Sequence, residues 1–90
     1  MKNGLIPGQD LIEAGLQDLE HGIESVPSLL VSIGAPRLRQ LGFRIPPAIA
    51  SPERRLYDLL AHDDSDAAHS RYNALIRRLV SFERAAECAR

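Results

Sequence analysis

Several features are scarce or missing in this 90-residue chain. Cysteine occurs once, at Cys88, so no intramolecular disulfide can form, and a disulfide-stapled secreted scaffold is excluded. The longest uncharged stretch, residues 25–36, spans 12 residues, whereas a membrane-crossing helix needs about 20. We therefore expect a small soluble domain in a reducing, cytoplasmic setting, with no membrane partner.

The chain also lacks an excess of charge of either sign. Its 11 basic and 12 acidic residues give a formal net charge of −1, which argues against a dedicated nucleic-acid binder. Lysine is almost absent, because ten of the basic residues are arginine. The 44% hydrophobic content is too high for a long disordered chain. These values predict one small domain over residues 1–90, with residues 1–7 as a flexible tail.

What the chain does contain is helical periodicity, beginning at its N-terminal end. Apolar residues recur with alternating spacings of four and three at Ile12, Leu16, Leu19, Ile23 and Val26. This spacing predicts a first helix over residues 9–24, with Gly8 at the N-cap. Gly15 and Gly22 flank the apolar face, which indicates either that another backbone approaches closely or that the packed helix simply tolerates them.

The next segment combines helical and helix-breaking signals. Pro27 suits the first position of a second helix, which is predicted to cover residues 28–33. Gly34 and Pro36 are expected to interrupt it, since proline in a helix interior removes a hydrogen bond and clashes with the preceding turn. A second short helical segment is predicted over residues 36–41.

Gly42 has the features of a helix C-terminal stop. In the Schellman motif a glycine follows the last helical turn, and the next residue contacts the third residue from the helix end. Here Phe43 and Leu38 occupy those two positions. Residues 43–50 contain two adjacent prolines, which forbid a helix start and favour extended backbone. Because three of these residues are large and apolar, we expect the segment to lie on the core.

The C-terminal half predicts two further helices. Ser51 and Pro52 are typical of an N-cap and first helical position, so a third helix is expected over residues 52–62. A fourth helix, over residues 66–88, carries an apolar seam formed by Ala68, Tyr72, Leu75, Leu79, Phe82 and Ala86. The predicted fold is all-α, a compact bundle of four helices with an irregular Pro-rich connection between helices 2 and 3.

The favoured function is a small non-enzymatic helical module for protein interaction or regulation, binding another protein or a second copy of itself. The seam of the fourth helix is long for so short a chain, and an exposed apolar patch would mark an interface. The predicted interface residues are Tyr72, Leu75, Leu79, Phe82, Glu83 and Ile49. Among them, Glu83 falls on the apolar side of its helix, so either the stripe ends there or Glu83 pairs with an arginine.

The alternative is a DNA-binding regulator. Residues 28–34, a turn at 34–36 and the basic residues that follow loosely resemble a helix-turn-helix, and arginine and glutamine read base edges. The predicted contacts are Arg37, Arg39, Arg44, Arg54 and Arg55. The short second helix and the lack of net positive charge argue against this alternative.

Charge is distributed unevenly along the chain. Residues 1–24 carry five acids and one base, residues 25–62 carry five arginines and two acids, and the remainder balances. Glu13, Gln17, Glu20 and Glu24 share one ridge of the first helix, while Arg77 and Arg84 share the outer face of the fourth. Both faces can be solvated, or the acidic ridge can meet an arginine cluster within the fold or across a dimer.

No residue set predicts catalysis, a cofactor, a metal or a small-molecule substrate. The one cluster of histidine and aspartate comprises His62, Asp63, Asp64, Asp66 and His69. These residue types bind metals, but the run lacks the glycine and the distant glutamate of an EF-hand loop. We interpret the acidic residues as caps for the fourth helix.

Overall fold

The computed structural model describes residues 6–89, which form four helices. These are α1 (Gln9–Glu20), α2 (Val26–Gln40), α3 (Pro52–Asp63) and α4 (Ala68–Cys88). No strand occurs between residues 6 and 89, and a non-helical segment joins α2 to α3, so the predicted all-α architecture is confirmed. Of the predicted N-terminal tail, residues 1–5 lie outside the described residues, while Ile6 packs against the hydrophobic core.

Helix α1 begins where predicted but ends four residues early. Gly8 is its N-cap, in the left-handed conformation with φ +82°. The predicted extension to residue 24 is wrong, because Gly22 adopts φ +70° and closes a Schellman motif. The Ile23 amide donates to the Asp18 carbonyl at 2.8 Å, and the Gly22 amide donates to the Leu19 carbonyl at 3.1 Å.

A short connection turns the chain back so that α2 runs antiparallel to α1. Ser25 is the N-cap of α2, and its side chain and that of Ser28 form a reciprocal capping box. The Ser25 hydroxyl also donates to Asp18 at 2.6 Å, which ties the start of α2 to the last turn of α1. Further back along α1, Gly15 lies against Pro27 and Val31.

Helix α2 is continuous through Gly34 and Pro36, so the predicted interruption is wrong. Tertiary packing outweighs the local signal, because α2 packs on the other three helices and contributes more buried residues than any of them. Its buried residues are Ser28, Leu29, Leu30, Val31, Ser32, Gly34, Ala35 and Leu38. Pro36 itself is exposed. Burial of several side chains, at about 1.5–3 kcal/mol each, exceeds the roughly 3 kcal/mol penalty of an internal proline.

The predicted stop at Gly42 is confirmed. Gly42 has φ +101°, and the Phe43 amide donates to the Leu38 carbonyl at 3.0 Å. The following Pro-rich segment lies on the core as predicted, with Phe43, Ile45 and Ile49 half-buried. The Ile49 amide donates to the buried hydroxyl of Ser32 at 3.0 Å, which anchors this connection to α2.

Helices α3 and α4 complete the bundle with starts that differ in detail from prediction. Ser51 is the N-cap of α3, but it adopts φ +51° and its side chain makes no capping bond. The Asp64 carboxylate accepts from the Asp66 and Ala67 amides, so it caps the turn before α4, and α4 itself begins at Ala68. Helix α3 packs on both α2 and α4.

Helix α4 crosses α2 at Gly34. A Cβ atom added there would lie 2.8 Å from a methyl carbon of Leu79, so the missing side chain lets the two helices approach. Further along both helices, Arg37 of α2 pairs with Glu87 of α4 at 2.5 Å. These contacts fix the C-terminal half of α4 beside the C-terminal half of α2.

Candidate functional site

An open groove lies between α1, the end of α2 and the C-terminal turns of α4. Its volume is about 470 Å³, and eight of its ten lining residues are apolar. The apolar lining residues are Ile6, Ile12, Leu16, Leu41, Phe43, Phe82, Ala86 and Ala89. The two polar residues, Gln9 and Glu13, both belong to α1. A concave, predominantly apolar surface with a polar edge is typical of a binding site.

The groove exists because α4 presents small residues beyond Phe82. Phe82 is 2% exposed and forms part of the floor, but the next two lining residues on the same helix are Ala86 and Ala89. Alanine side chains are short and fill little of the space between α4 and α1, and Leu16 of α1 remains half-buried at the groove.

Phe43 is held at the groove by the stop at the end of α2. The left-handed Gly42 turns the chain, and the Phe43 ring then contacts the Phe82 ring with 5.5 Å between centroids. The tilted arrangement, at 47°, is a favourable geometry for aromatic pairs. Phe43 is half-buried, so one part of its surface rests on the core and another lines the groove.

The α1 wall is ordered by a chain of polar contacts. The Ile6 amide donates to the Gln9 side-chain oxygen at 3.2 Å, and the Gln9 side-chain nitrogen donates to Glu13 at 3.1 Å. These bonds position Ile6 against the groove and direct one Glu13 oxygen toward Gln9. Along the same wall Leu16 supplies apolar surface.

A second depression, of about 440 Å³, continues the groove past Phe43. Its lining includes Glu20 from α1 and Arg44, Ile45 and Pro46 from the connection. Arg39 also lines it, and its guanidinium donates to the Pro46 carbonyl at 3.3 Å. Phe43 lines both depressions, and we refer to the two together as the trough. Glu13 and Glu20 lie on its α1 side, the acidic edge, and Arg44 lies at its far end, beyond Phe43.

The acidic edge is not neutralised within the described chain. Helix α1 contains four acidic residues and no basic residue. One alternative from the sequence is that the acidic ridge of residues 13, 17, 20 and 24 meets an arginine cluster. Of these residues Glu24, which follows α1, binds a single arginine, since Arg55 of α3 donates two hydrogen bonds to it at 2.8 and 3.0 Å. This hydrogen bonding and the charge of Arg55 lower the pKa of Glu24. Between residues 6 and 89, no arginine forms an ion pair with Glu13 or Glu20.

The predicted interface residues occupy different environments. Leu79 and Phe82 are buried in the core of the chain itself, at 4% and 2% exposure, while the others are half-buried. Those half-buried residues are Ile49, Tyr72, Leu75 and Glu83. Of the six, Phe82 alone lines the groove. A role for any of the six in a partner interface stays a prediction.

Glu83 lies between the core and solvent on α4. Its carboxylate is close to Gly34, where an added Cβ would stand 3.1 Å from one of its oxygens. Burial raises the pKa of Glu83, and the nearby positive charge of Arg37 partly opposes this effect. Arg37 forms its ion pair with Glu87, so Glu83 experiences the charge without a direct bond in the described residues.

The five arginines of the DNA-binding alternative are exposed but do not form the predicted motif. The turn expected at residues 34–36 is absent because α2 is continuous, so the helix-turn-helix interpretation is wrong. Arg37 and Arg55 bind glutamates, and Arg39 binds backbone carbonyls. Arg44 and Arg54 are exposed as well. Nucleic-acid contact by these side chains stays a prediction.

The cluster of histidine and aspartate residues does not converge on one point. His62 and His69 are exposed, and Asp63 pairs with Arg71 at 2.8 Å. Over residues 6–89, no group of three histidine, cysteine, aspartate or glutamate side chains is arranged to hold a metal ion. Asp64 instead caps backbone amides, as the sequence indicated.

Comparisons with known proteins give no relative. No known protein family matches the chain, and neither a curated protein nor a solved structure matches it significantly. None of the helices in the described part of the chain is long and apolar enough to cross a membrane. The chemistry of the trough is therefore the basis for interpreting the molecule.

The sequence did not identify the groove, although one signal pointed to it. The sequence predicts Ile6 within a tail and Leu16 on the apolar face of the first helix. It predicts Phe43 at a helix stop and against the core, and Phe43 is not among the six predicted interface residues. The available signal was the change from large to small residues along α4, from Phe82 to Ala86.

Proposed function

We propose that this protein is a non-enzymatic interaction module whose trough binds an amphipathic helix of a partner protein. The observation that carries the proposal is the groove itself, an open concave surface in which apolar side chains from three elements converge. Four of the eight apolar lining residues keep exposed surface in the groove, namely Ile6, Leu16, Phe43 and Ala89. A partner that covered this surface would gain the free energy of apolar burial.

The described fold favours a helix as the occupant over an extended strand. A strand binds by adding to the edge of a sheet, and residues 6–89 contain no strand. A helix instead lays apolar residues spaced three and four apart into a hydrophobic groove. Three anchors over two turns span roughly 10 Å, as expected from a rise of about 1.5 Å per residue.

A partner protein fits the groove better than a second copy of this chain. The large apolar side chains that are most exposed within residues 6–89 are Ile23, Tyr57, Leu59 and Val80. They lie on three different elements, and Tyr57 and Leu59 are two residues apart, so they do not share a helix face. No exposed stripe of the described chain therefore supplies the apolar face that the groove requires.

The expected affinity is moderate. Each fully buried apolar anchor contributes about 1.5–3 kcal/mol, and two or three anchors must offset the loss of freedom on association. A dissociation constant in the micromolar range corresponds to about 8 kcal/mol. We expect selected helical peptides to bind in this range or somewhat more tightly.

The test is a selection from displayed amphipathic helical peptides, followed by binding measurements on three proteins. Ala89→Phe places a ring in the groove from the exposed end of α4, and Ala14→Phe makes the same change on the exposed outer face of α1. Peptides selected on the unmodified protein should lose at least tenfold in affinity for Ala89→Phe and keep their affinity for Ala14→Phe. Thermal melts establish that both variants fold.

Two outcomes would contradict the proposal. The first is a failure to enrich any helical peptide, or equal binding to both variants. The second is a concentration-dependent dimer in sedimentation that Ala89→Phe abolishes, because the occupant would then be a second copy of the chain.

A further inference from the structure

We infer that the partner helix carries lysine or arginine along the flank that faces α1 and an acidic residue at the end near Arg44. This inference rests on the proposed function, since it concerns the chemistry of the ligand in the same trough. It comes from the placement of charges around the apolar floor.

The acidic edge on α1 presents two carboxylates whose spacing matches that of residues seven apart on a partner helix bound in the trough. Glu13 and Glu20 are seven residues apart, which places them on the same side of α1 with about 10 Å between their backbone positions. Glu13 lines the first depression and Glu20 the second. A bound helix with basic residues at seven-residue spacing would meet both.

The second depression, which Glu20 lines from α1, also carries positive charge from arginine side chains. Arg44 lines the second depression and is exposed. Arg39 beside it is engaged with the carbonyls of Ile45 and Pro46, which leaves Arg44 as the side chain able to turn toward a ligand. An acidic residue at one end of the bound helix would pair with Arg44, so the two charge patterns together select one orientation of the helix.

Negative charge along the α1 edge also determines the class of partner. A nucleic-acid phosphate would be repelled by the Glu13 and Glu20 carboxylates, whereas a basic flank of a protein helix is attracted. Because the contacts are at the rim, they are expected to change association rate and specificity more than total affinity. Each exposed pair contributes up to about a fivefold change in affinity.

The experiment compares peptide selections on charge variants. Glu13→Lys with Glu20→Lys reverses the edge, and Asp58→Lys, on exposed α3, is the matched control. Selections on the unmodified protein and on Asp58→Lys should enrich basic residues on one flank. On the double variant this enrichment should reverse to acidic residues. Glu13→Gln with Glu20→Gln, which keeps side-chain size, should remove the enrichment if the reversal variant fails to fold.

Binding kinetics supply the second measurement. Association of a selected basic peptide should slow about tenfold on the double reversal and should fall with added salt, while Asp58→Lys leaves it within twofold. Arg44→Glu should select peptides without the terminal acidic residue. Selected peptides that share apolar anchors but show no charge bias on any variant would overturn this inference. The proposed function would stay intact in that case, provided that Ala89→Phe still weakens binding at least tenfold. Loss of sensitivity to Ala89→Phe would overturn both.

A final arm concerns the chain's own first residues. A variant lacking residues 1–5 should bind selected peptides with unchanged affinity. If the truncated variant binds these peptides with at least tenfold higher affinity, residues 1–5 compete for the trough. That result would overturn the assignment of the trough to a partner protein.

Discussion

Helix α1 packs tightly on one side and leaves an open trough on the other. Toward α2, the absence of a side chain at Gly15 allows backbone contact, and a Cβ atom there would lie 2.4 Å from the Pro27 carbonyl oxygen. Toward the end of α4, Ala86 and Ala89 leave a space of about 470 Å³. Small residues thus have opposite effects on the two sides. Gly15 lets the backbones of α1 and α2 come into contact, whereas Ala86 and Ala89 are too short to fill the space between α4 and α1.

The difference indicates separate roles for the two sides. The tight contact of α1 with α2 fixes the position of α1, and the Ser25–Asp18 bond strengthens it. A helix fixed on one side can present its other edge in a constant position. The trough therefore has one rigid wall without needing contact across its opening.

The largest expected effect comes from adding a methyl group on the tight side. Gly15→Ala should destabilise the fold by about 3 kcal/mol, because the new methyl group would overlap backbone atoms that cannot move independently. Chemical denaturation measures this. Gly22→Ala is the comparison, since position 22 has open space but φ +70°, and its cost should be about 1 kcal/mol. Equal costs at the two positions would contradict the close approach.

The next effect concerns α2, the helix against which α1 packs tightly. Pro36→Ala should stabilise the fold by about 1–2 kcal/mol, because alanine restores an amide donor in the helix while giving back some unfolded-state entropy. Denaturation midpoints give the answer. A clear loss of stability would show that Pro36 contributes packing and that our explanation of the continuous helix is wrong.

A smaller effect is expected on the open side. Ile6→Ala should cost about 1 kcal/mol, well below the 2–5 kcal/mol typical of fully buried positions, because Ile6 is half-buried and borders the groove. Ile12→Ala, at 1% exposure on the same groove, provides the fully buried reference. Similar losses for both variants would mean that the groove side is as closed as the core.

The smallest effect is the pH dependence of Glu83, on the closed contact between α2 and α4. Burial raises the pKa of Glu83 above the ordinary 4.5, so the folded state favours the protonated carboxyl. Stability therefore falls as pH rises from the ordinary pKa to the raised pKa of the folded state. Glu83→Gln removes this loss. The melting temperature of the variant should exceed that of the unmodified protein by about 1–3 °C at neutral pH.

The control for this prediction is the same comparison at low pH. Below about pH 3 the two proteins should melt together, because the carboxyl is then protonated in both the folded and the unfolded state. The lowered pKa of Glu24 acts in the opposite direction, but it is common to both proteins and cancels in the difference. A difference in melting temperature that does not vary with pH would contradict the role of burial.

The sequence predicted the helices well where local signals and packing agreed. The stop at Gly42 and the starts near Gly8 and Pro52 follow from backbone requirements that act within a few residues. The same local logic applied at Gly22, but the apolar spacing continued to Ile23 and concealed it. Pro36 does remove a helical hydrogen bond, as the local signal implies, but burial of the side chains of α2 outweighs this penalty and the helix continues.

The trough could not be predicted because it depends on distances between elements. Periodicity places Leu16 and Phe82 on apolar faces, but it does not state which apolar residues a neighbouring helix covers. The gap arises from where α4 crosses α2 at Gly34 and from the small residues that follow on α4. Neither the crossing point nor the separation of α1 from α4 is encoded in a local pattern.

Whether the trough is the binding site is tested most directly by an amide and isoleucine-methyl NMR titration of the unmodified protein with a selected helical peptide. We predict that the largest shifts occur at Ile6, Leu16, Phe43 and Ala89, with residues of α3 such as Leu59 unchanged. Binding that perturbs α3 most strongly and leaves Ile6 and Phe43 unchanged would contradict the assignment of the trough as the binding site.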